Sequence, residues 1–178
     1  MDTSKINIAG LDRELPLCAV NENLKIAALV IFNDVELTVA SAAALLEKMP
    51  EFDVIVTPEA KSIPLAYEMA RQSGKPYFVA RKGVKLYMSD PARVDVKSIT
   101  TDKVQTLFLD SGEGEQLRGK RVAVVDDVIS TGESLKAMAM LVGRFDGNIV
   151  AQAAILAEGD AAKRDDIIFL EELPLFFN

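Results

Sequence analysis

The chain has 178 residues, 49% of them hydrophobic, with a formal net charge of −7, one cysteine and no histidine. That length suits one domain around one good core, and the acidic balance argues against a protein that coats DNA or RNA, because such affinity rests largely on Lys and Arg neutralising phosphates. Without histidine, the commonest general base and the commonest transition-metal ligand are both missing, so Ser-His-Asp hydrolysis, Cys-His catalysis and His-ligated zinc are excluded within the chain.

The lone Cys18 excludes an internal disulfide and a cysteine metal cage; it fits a reducing compartment and reads as a small buried hydrophobe. No apolar run approaches the roughly 20 residues that a membrane span requires. The N-terminus MDTSKINIAG lacks the basic-then-apolar order of a leader. A cytoplasmic protein with neither membrane nor nucleic-acid partners is expected.

Taken in chain order, apolar β-rich runs alternate with amphipathic segments of helical spacing, the pattern of an α/β fold with a central, mainly parallel twisted sheet flanked by helices. Ile26 to Phe32 reads as a strand, and Glu36 to Lys48 as a helix with Leu37, Ala40, Ala44 and Leu45 along one face. Val54 to Val56 forms a short buried strand, followed by a turn at TPEAKS and a helix from about Ile63 to Arg71. Pro64 falls in that helix's first turn, where its missing N–H costs nothing. Ser73 to Pro76 ends the helix, and Tyr77 to Ala80 is the next strand. From Arg81 to about Thr101 the periodicity dissolves into a long loop with some hairpin character. Loops this long are uncommon and are often active-site lids; the plainer alternative is a tolerated surface insertion. Strands resume at Val104 to Leu109 and Arg121 to Val125, joined by the polar turn SGEGEQLRG. A helix follows from about Gly132 to Phe145, then a strand at Ile149 to Leu156, and a tail with Ile167 to Leu170 and ELPLFFN. No repeat or linker interrupts the chain, so residues 1–178 are read as one domain.

The densest chemical signal is RVAVVDDVISTGESL at Arg121 to Leu135: an apolar strand, two adjacent carboxylates, a small-hydroxyl turn and a helix. Open α/β sheets place ligands at such carboxyl ends of strands. Ser130, Thr131 and Gly132 make a tight turn, and the unpaired N–H groups of the next helix point outward with the positive end of its dipole, a place for a phosphate. The hydroxyls of Ser130, Thr131 and Ser134 add donors. Asp126 and Asp127 would repel a bare phosphate, yet they suit the vicinal hydroxyls of a ribose attached to it. The bland alternative is an ordinary helix cap with an acid pair balancing the dipole. GEGEQL at Gly112 to Leu117 lacks the third glycine of a dinucleotide loop and reads as a turn, and no GxxxxGK[ST] occurs.

VAVVDDVISTGES resembles the phosphoribosyl-diphosphate (PRPP) binding motif of type I phosphoribosyltransferases. The resemblance implies that Asp126, Asp127, Ser130, Thr131, Gly132, Glu133 and Ser134 hold the ribose and 5′-phosphate of PRPP. Cations at the ends of other strands complete the picture. Lys61 and Ser62 follow the second strand, and Arg81, Lys82 and Lys85 follow the third. Taken singly, each is an ordinary solvated charge. Both segments are similar to those of the adenine and xanthine branch, which includes purine-sensing repressors. By that likeness Lys61, Ser62, Arg81, Lys82 and Lys85 face the diphosphate, and residues 81–105 form a lid.

The branch resemblance further implies a hood over the base, from about residues 1–35 and 157–178, a homodimer, and purine salvage with adenine as first candidate and xanthine or guanine as others. In IFND, Phe32 and Asn33 correspond to base-contacting positions, with Val128 covering the opposite face. Magnesium is the implied cofactor, held mainly by PRPP, with Asp126 and Asp127 behind it. Adenine-specific relatives carry a lid glutamate as acid or base; here Thr101 and Asp102 fall near that position, and Asp102 is the candidate substitute. The competing reading is a regulator that binds PRPP without transferring it. Relatives of that kind carry an added DNA-binding domain, for which the sequence offers neither room nor positive charge.

Overall fold

The computed structural model describes residues 2–97 and 104–177. Two strands open the chain, β1 (Thr3–Ile8) and β2 (Leu11–Asn21), joined through Ala9 and Gly10 at φ 51° and 82°. A two-residue turn with positive φ at both positions matches the right-handed twist of its strands. The sequence reading missed this hairpin. β3 (Leu24–Ala27) pairs antiparallel with β2, and the run 28–34 leaves it without joining a strand, so the expected strand over Ile26 to Phe32 is largely corrected. Its alternation is real all the same: Ala27, Leu29 and Ile31 are buried while Val30 and Phe32 are half exposed. Period two reports extended backbone; a ladder also needs a neighbouring strand.

Helix α1 (Val35–Lys48) starts at Asp34, whose carboxylate accepts from the Leu37 N–H and so caps it. Next come β4 (Val54–Pro58), α2 (Ile63–Ser73), β5 (Tyr77–Ala80), β6 (Ala92–Lys97) and β7 (Val104–Leu109). The last two form an antiparallel pair, so the supposed loop over residues 81–101 contains a strand. In β6, Val94 and Val96 are buried while Arg93, Asp95 and Lys97 are exposed; the charged alternate positions hid the pattern. The SGEGEQLRG turn likewise contains a short helix, α3 (Ser111–Glu115). Then follow β8 (Arg121–Ile129), α4 (Glu133–Arg144), β9 (Asn148–Glu158), a 3₁₀ turn (Gly159–Lys163), β10 (Ile168–Leu173) and β11 (Leu175–Phe177).

Five of these strands make an all-parallel sheet in the order β10-β9-β8-β4-β5. Val122 to Val125 of β8 are fully buried, as a central strand covered on both faces must be. One face packs on α1 and α2 through Leu37, Leu45, Leu65 and Met69; the other packs on α4 and the β6–β7 pair through Met138, Leu141, Val94 and Leu107. A second, antiparallel sheet has the order β1-β2-β3-β11 and unites the two ends of the chain. It is tied to α1 by Arg13, which donates to both Asp34 oxygens at 2.7 and 3.0 Å. Cys18 lies exposed on β2, which corrects the expectation that it is buried.

Candidate active site

The parallel sheet changes direction between β4 and β8. From β4 the chain winds outward through α2 to β5, and from β8 it winds the other way through α4 to β9 and β10. At such a switch point the connections leaving two adjacent strands diverge and open a crevice at their carboxyl ends. The β4–α2 loop and the β8–α4 loop meet there, lining a cavity of about 270 Å³ that includes Glu59, Lys61, Lys82, Asp126, Asp127 and Ser134. A smaller recess of about 90 Å³ runs from Asp126 along Ser130, Thr131 and Gly132 to Leu135.

The acid pair lies within β8, which extends four residues beyond the expected end at Val125. Asp126 and Asp127 are 6% and 5% exposed, which makes them costly charges. Burial, reinforced by the neighbouring charge of Asp127, pushes the Asp126 carboxyl well above the ordinary carboxylate range. Its Oδ1 accepts the Asp127 N–H at 2.8 Å. Asp127 Oδ2 sits 2.6 Å from Lys61 Nζ, so the ammonium reaches across the crevice and ion-pairs with this buried carboxylate. A carboxylate has acceptor capacity beyond one such partner, so a ligand hydroxyl can share it with Lys61.

After Ile129, Ser130 and Thr131 are exposed and Gly132 stands at φ 79° just before α4. That conformation is open to glycine and strained for other residues. Ser134 Oγ accepts from Gln105 Nε2 at 3.0 Å, which ties the β8–α4 loop to β7.

The basic side is laced by acids. Pro58 pairs with Ala80 across β4 and β5, so the loops that follow both strands run side by side. Glu59, which the sequence reading passed over, is their hinge: it accepts the Lys82 N–H at 2.9 Å and faces Arg81 Nη2 at 3.5 Å and Lys85 Nζ at 3.9 Å. The Lys82 hydrogen bond and then the cations hold its carboxyl below the usual range. Arg81 also bridges by backbone to Phe108 of β7, and its Nε is buried without a hydrogen-bond partner among the described residues. Ser62 is 1% exposed; its hydroxyl accepts from Thr57 and donates to the Pro58 carbonyl, so its side chain braces the loop.

The structure therefore gathers Lys61, Ser62, Lys82, Val128, Asp126, Asp127 and Ser134 around one cavity. Phe32 and Asn33 line a different, largely apolar one of about 510 Å³, with Thr38, Ile63 and Tyr67. The three suspected base contacts are thus split between two cavities. Thr101 and Asp102 lie outside the described residues.

A model of the phosphoribosyl transferase domain matches residues 34–174. The chain belongs to this family. Within the phosphoribosyl transferase domain family, it is 29% identical over 110 residues to a purine biosynthesis transcriptional repressor of Bacillus subtilis, covering 62% of this chain and 38% of the repressor. It is 30% identical over 109 residues to the adenine phosphoribosyltransferase of Thermotoga petrophila, 60% of this chain and 59% of that enzyme. The chain thus spans less than two thirds of the length of these curated relatives. In fold it is similar to the adenine phosphoribosyltransferase of Thermoanaerobacter pseudethanolicus, with a TM-score of 0.72 at 21% identity over 89% of this chain and 95% of that one. The family and the α/β architecture expected from the sequence both hold.

Proposed function

We propose that the protein is a purine phosphoribosyltransferase that transfers the 5-phosphoribosyl group of PRPP to a purine base, adenine first among the candidates, and releases diphosphate. The observation that carries this reading is the crevice between β4 and β8, where a buried acid pair and a phosphate-type loop on one wall face Lys61 and Lys82 on the other. A sugar carrying phosphate at both ends fits that division of charge.

In this reading Asp127 and Asp126 accept hydrogen bonds from the ribose hydroxyls, and the exposed turn Ser130 to Ser134 receives the 5′-phosphate on its N–H groups and hydroxyls. Lys61, Lys82, Arg81 and Lys85 stand on the diphosphate side, where cations favour departure of the leaving group as its charge develops. Holding both ends of PRPP fixes the anomeric carbon for attack by a purine nitrogen, so catalysis is mainly positioning. Where magnesium accompanies the substrate it offsets diphosphate charge; the hard carboxylate oxygens of Asp126 and Asp127 suit it as outer partners, and among the described residues no group of three or more acidic or thiol ligands forms a cage of its own. The segment from Arg81 to Gln105 serves as lid, the antiparallel sheet β1-β2-β3-β11 as hood, and Phe32, Asn33 and Val128 as base contacts. A cytoplasmic homodimer active in purine salvage completes the proposal.

The test is diphosphate release from PRPP and magnesium across a panel of purines and pyrimidines. Base-dependent release with a purine supports the reading. The likeness to the Bacillus subtilis repressor favours a second reading, a PRPP-binding regulator, and tight PRPP binding with no base consumed would select it.

A further inference from the structure

The proposed 5′-phosphate site has a charge problem. Its recess, from Asp126 to Leu135, is lined by neutral residues together with Asp126 and Glu133, and by no lysine or arginine among the described residues. The helix dipole of α4 supplies only about half a positive charge, while a sugar phosphate carries nearly two negative charges at neutral pH. The cations already considered, Lys61, Arg81, Lys82 and Lys85, belong to the loops after β4 and β5.

One further cation lies beside the phosphate loop. β9 pairs in parallel with β8, Ile129 opposite Ala157, so the connection leaving β9 emerges next to the loop leaving β8. That connection carries Arg164. A Cβ placed on Gly132 would fall 2.7 Å from Arg164 Nη1, so the guanidinium sits in the space that the missing side chain leaves open. Its direction is fixed from behind: Nε donates to Asp166 Oδ1 at 2.8 Å and Nη2 to Asp166 Oδ2 at 2.7 Å. A bidentate carboxylate of this kind locks the plane of the fork. These two bonds use Nε and Nη2 and leave Nη1 toward the loop.

We infer that Arg164, held by Asp166, is the cation of the 5′-phosphate cradle, placed against Gly132 so that its free edge meets the sugar phosphate. The inference rests on the phosphoribosyl reading of the site and deepens it. It also gives Gly132 a second reason to be glycine, since a side chain there would displace the guanidinium.

Calorimetric titration of the full chain with ribose 5-phosphate, PRPP and diphosphate, for wild type and for R164Q, R164K and D166N, tests it. R164Q is expected to weaken ribose 5-phosphate and PRPP by about tenfold each, the scale of a charge-assisted hydrogen bond, and to leave diphosphate binding unchanged. R164K should recover part of the loss, and D166N should show a smaller loss than R164Q. Equal ribose 5-phosphate affinity in wild type and R164Q overturns the inference and leaves the phosphoribosyl reading standing. A wild type that binds neither ribose 5-phosphate nor PRPP overturns both. Parallel loss of diphosphate and ribose 5-phosphate in R164Q also overturns it, since the residue would then act on the whole site; the melting temperature of R164K against R164Q separates charge from folding.

Discussion

The two walls of the crevice are built differently. The wall proposed for ribose phosphate is a single run of chain, strand into turn into helix, with Ser130 and Thr131 exposed and Asp127 buried. The wall proposed for diphosphate is assembled from two loops, and its cations hold internal partners: Lys61 on Asp127, and Arg81 and Lys85 on Glu59. The first wall is preorganised for a ligand. The second is self-neutralised, so a diphosphate bound as proposed takes its cations from resident carboxylates. Lys61 crosses between the walls, so the cation needed on one side rests on the acid needed on the other.

If that contrast is right, the largest effect belongs to the first wall. Asp127→Ala should lower affinity for ribose 5-phosphate by about a hundredfold, two charge-assisted hydrogen bonds, and lower diphosphate affinity little; calorimetry reads both, and an equal loss for the two ligands would erase the distinction between the walls. Lys61→Ala should cost about tenfold in diphosphate affinity while ribose 5-phosphate changes no more than about twofold, because its site loses a competing cation as Asp127 loses a neighbour. A tenfold drop in ribose 5-phosphate would instead make Lys61 part of the ribose wall.

Ser62→Ala sharpens the comparison at the level of folding. The hydroxyl is buried in a chain from Thr57 to the Pro58 carbonyl, so its loss should destabilise the protein by about 1–3 kcal/mol, read by denaturant unfolding. Reduced diphosphate affinity at unchanged stability would give Ser62 a direct ligand role.

The smallest effect is in pH dependence. Burial and Asp127 raise the Asp126 pKa, so between the ordinary carboxylate range and that raised value the folded state keeps a proton which the unfolded chain releases. Stability is therefore undiminished by this group at low pH and falls as pH rises through the window. Glu113, raised by burial and Asp110, acts with the same sign. With no histidine in the chain, little else titrates from about pH 5 to 8. The melting temperature of the wild type should fall across this range more steeply than that of Asp126→Asn; parallel curves would mean that Asp126 is ionised throughout.

The same contrast explains what the sequence disclosed. The ribose-phosphate wall was legible because its parts are consecutive: the apolar period of β8, the acid pair, the small turn and the α4 start all stand in one run. Only the end of β8 was misplaced, since carboxylates inside a strand look like its termination. Glu59 was illegible because a lone glutamate in a turn ordinarily faces water, and its task appears only when the Pro58–Ala80 pairing sets two loops together. Arg164 was hidden for the same reason, in the charged stretch AKRDD, where no spacing rule links it to Gly132. The β1–β2 hairpin did leave a trace, alternating Ile6 and Ile8 before Gly10, and so did Val94 and Val96 in β6. In both, polar or charged alternate residues weakened the apolar signal.

One crevice is proposed to hold both ends of PRPP through separate walls. This proposal is tested most directly by PRPP affinity in wild type, Asp127→Ala, Lys61→Ala and the double variant, with magnesium present. Each single change is expected to weaken PRPP, by about a hundredfold and about tenfold respectively, with the double variant the weakest of the four. PRPP affinity in either single variant equal to that of wild type would contradict it.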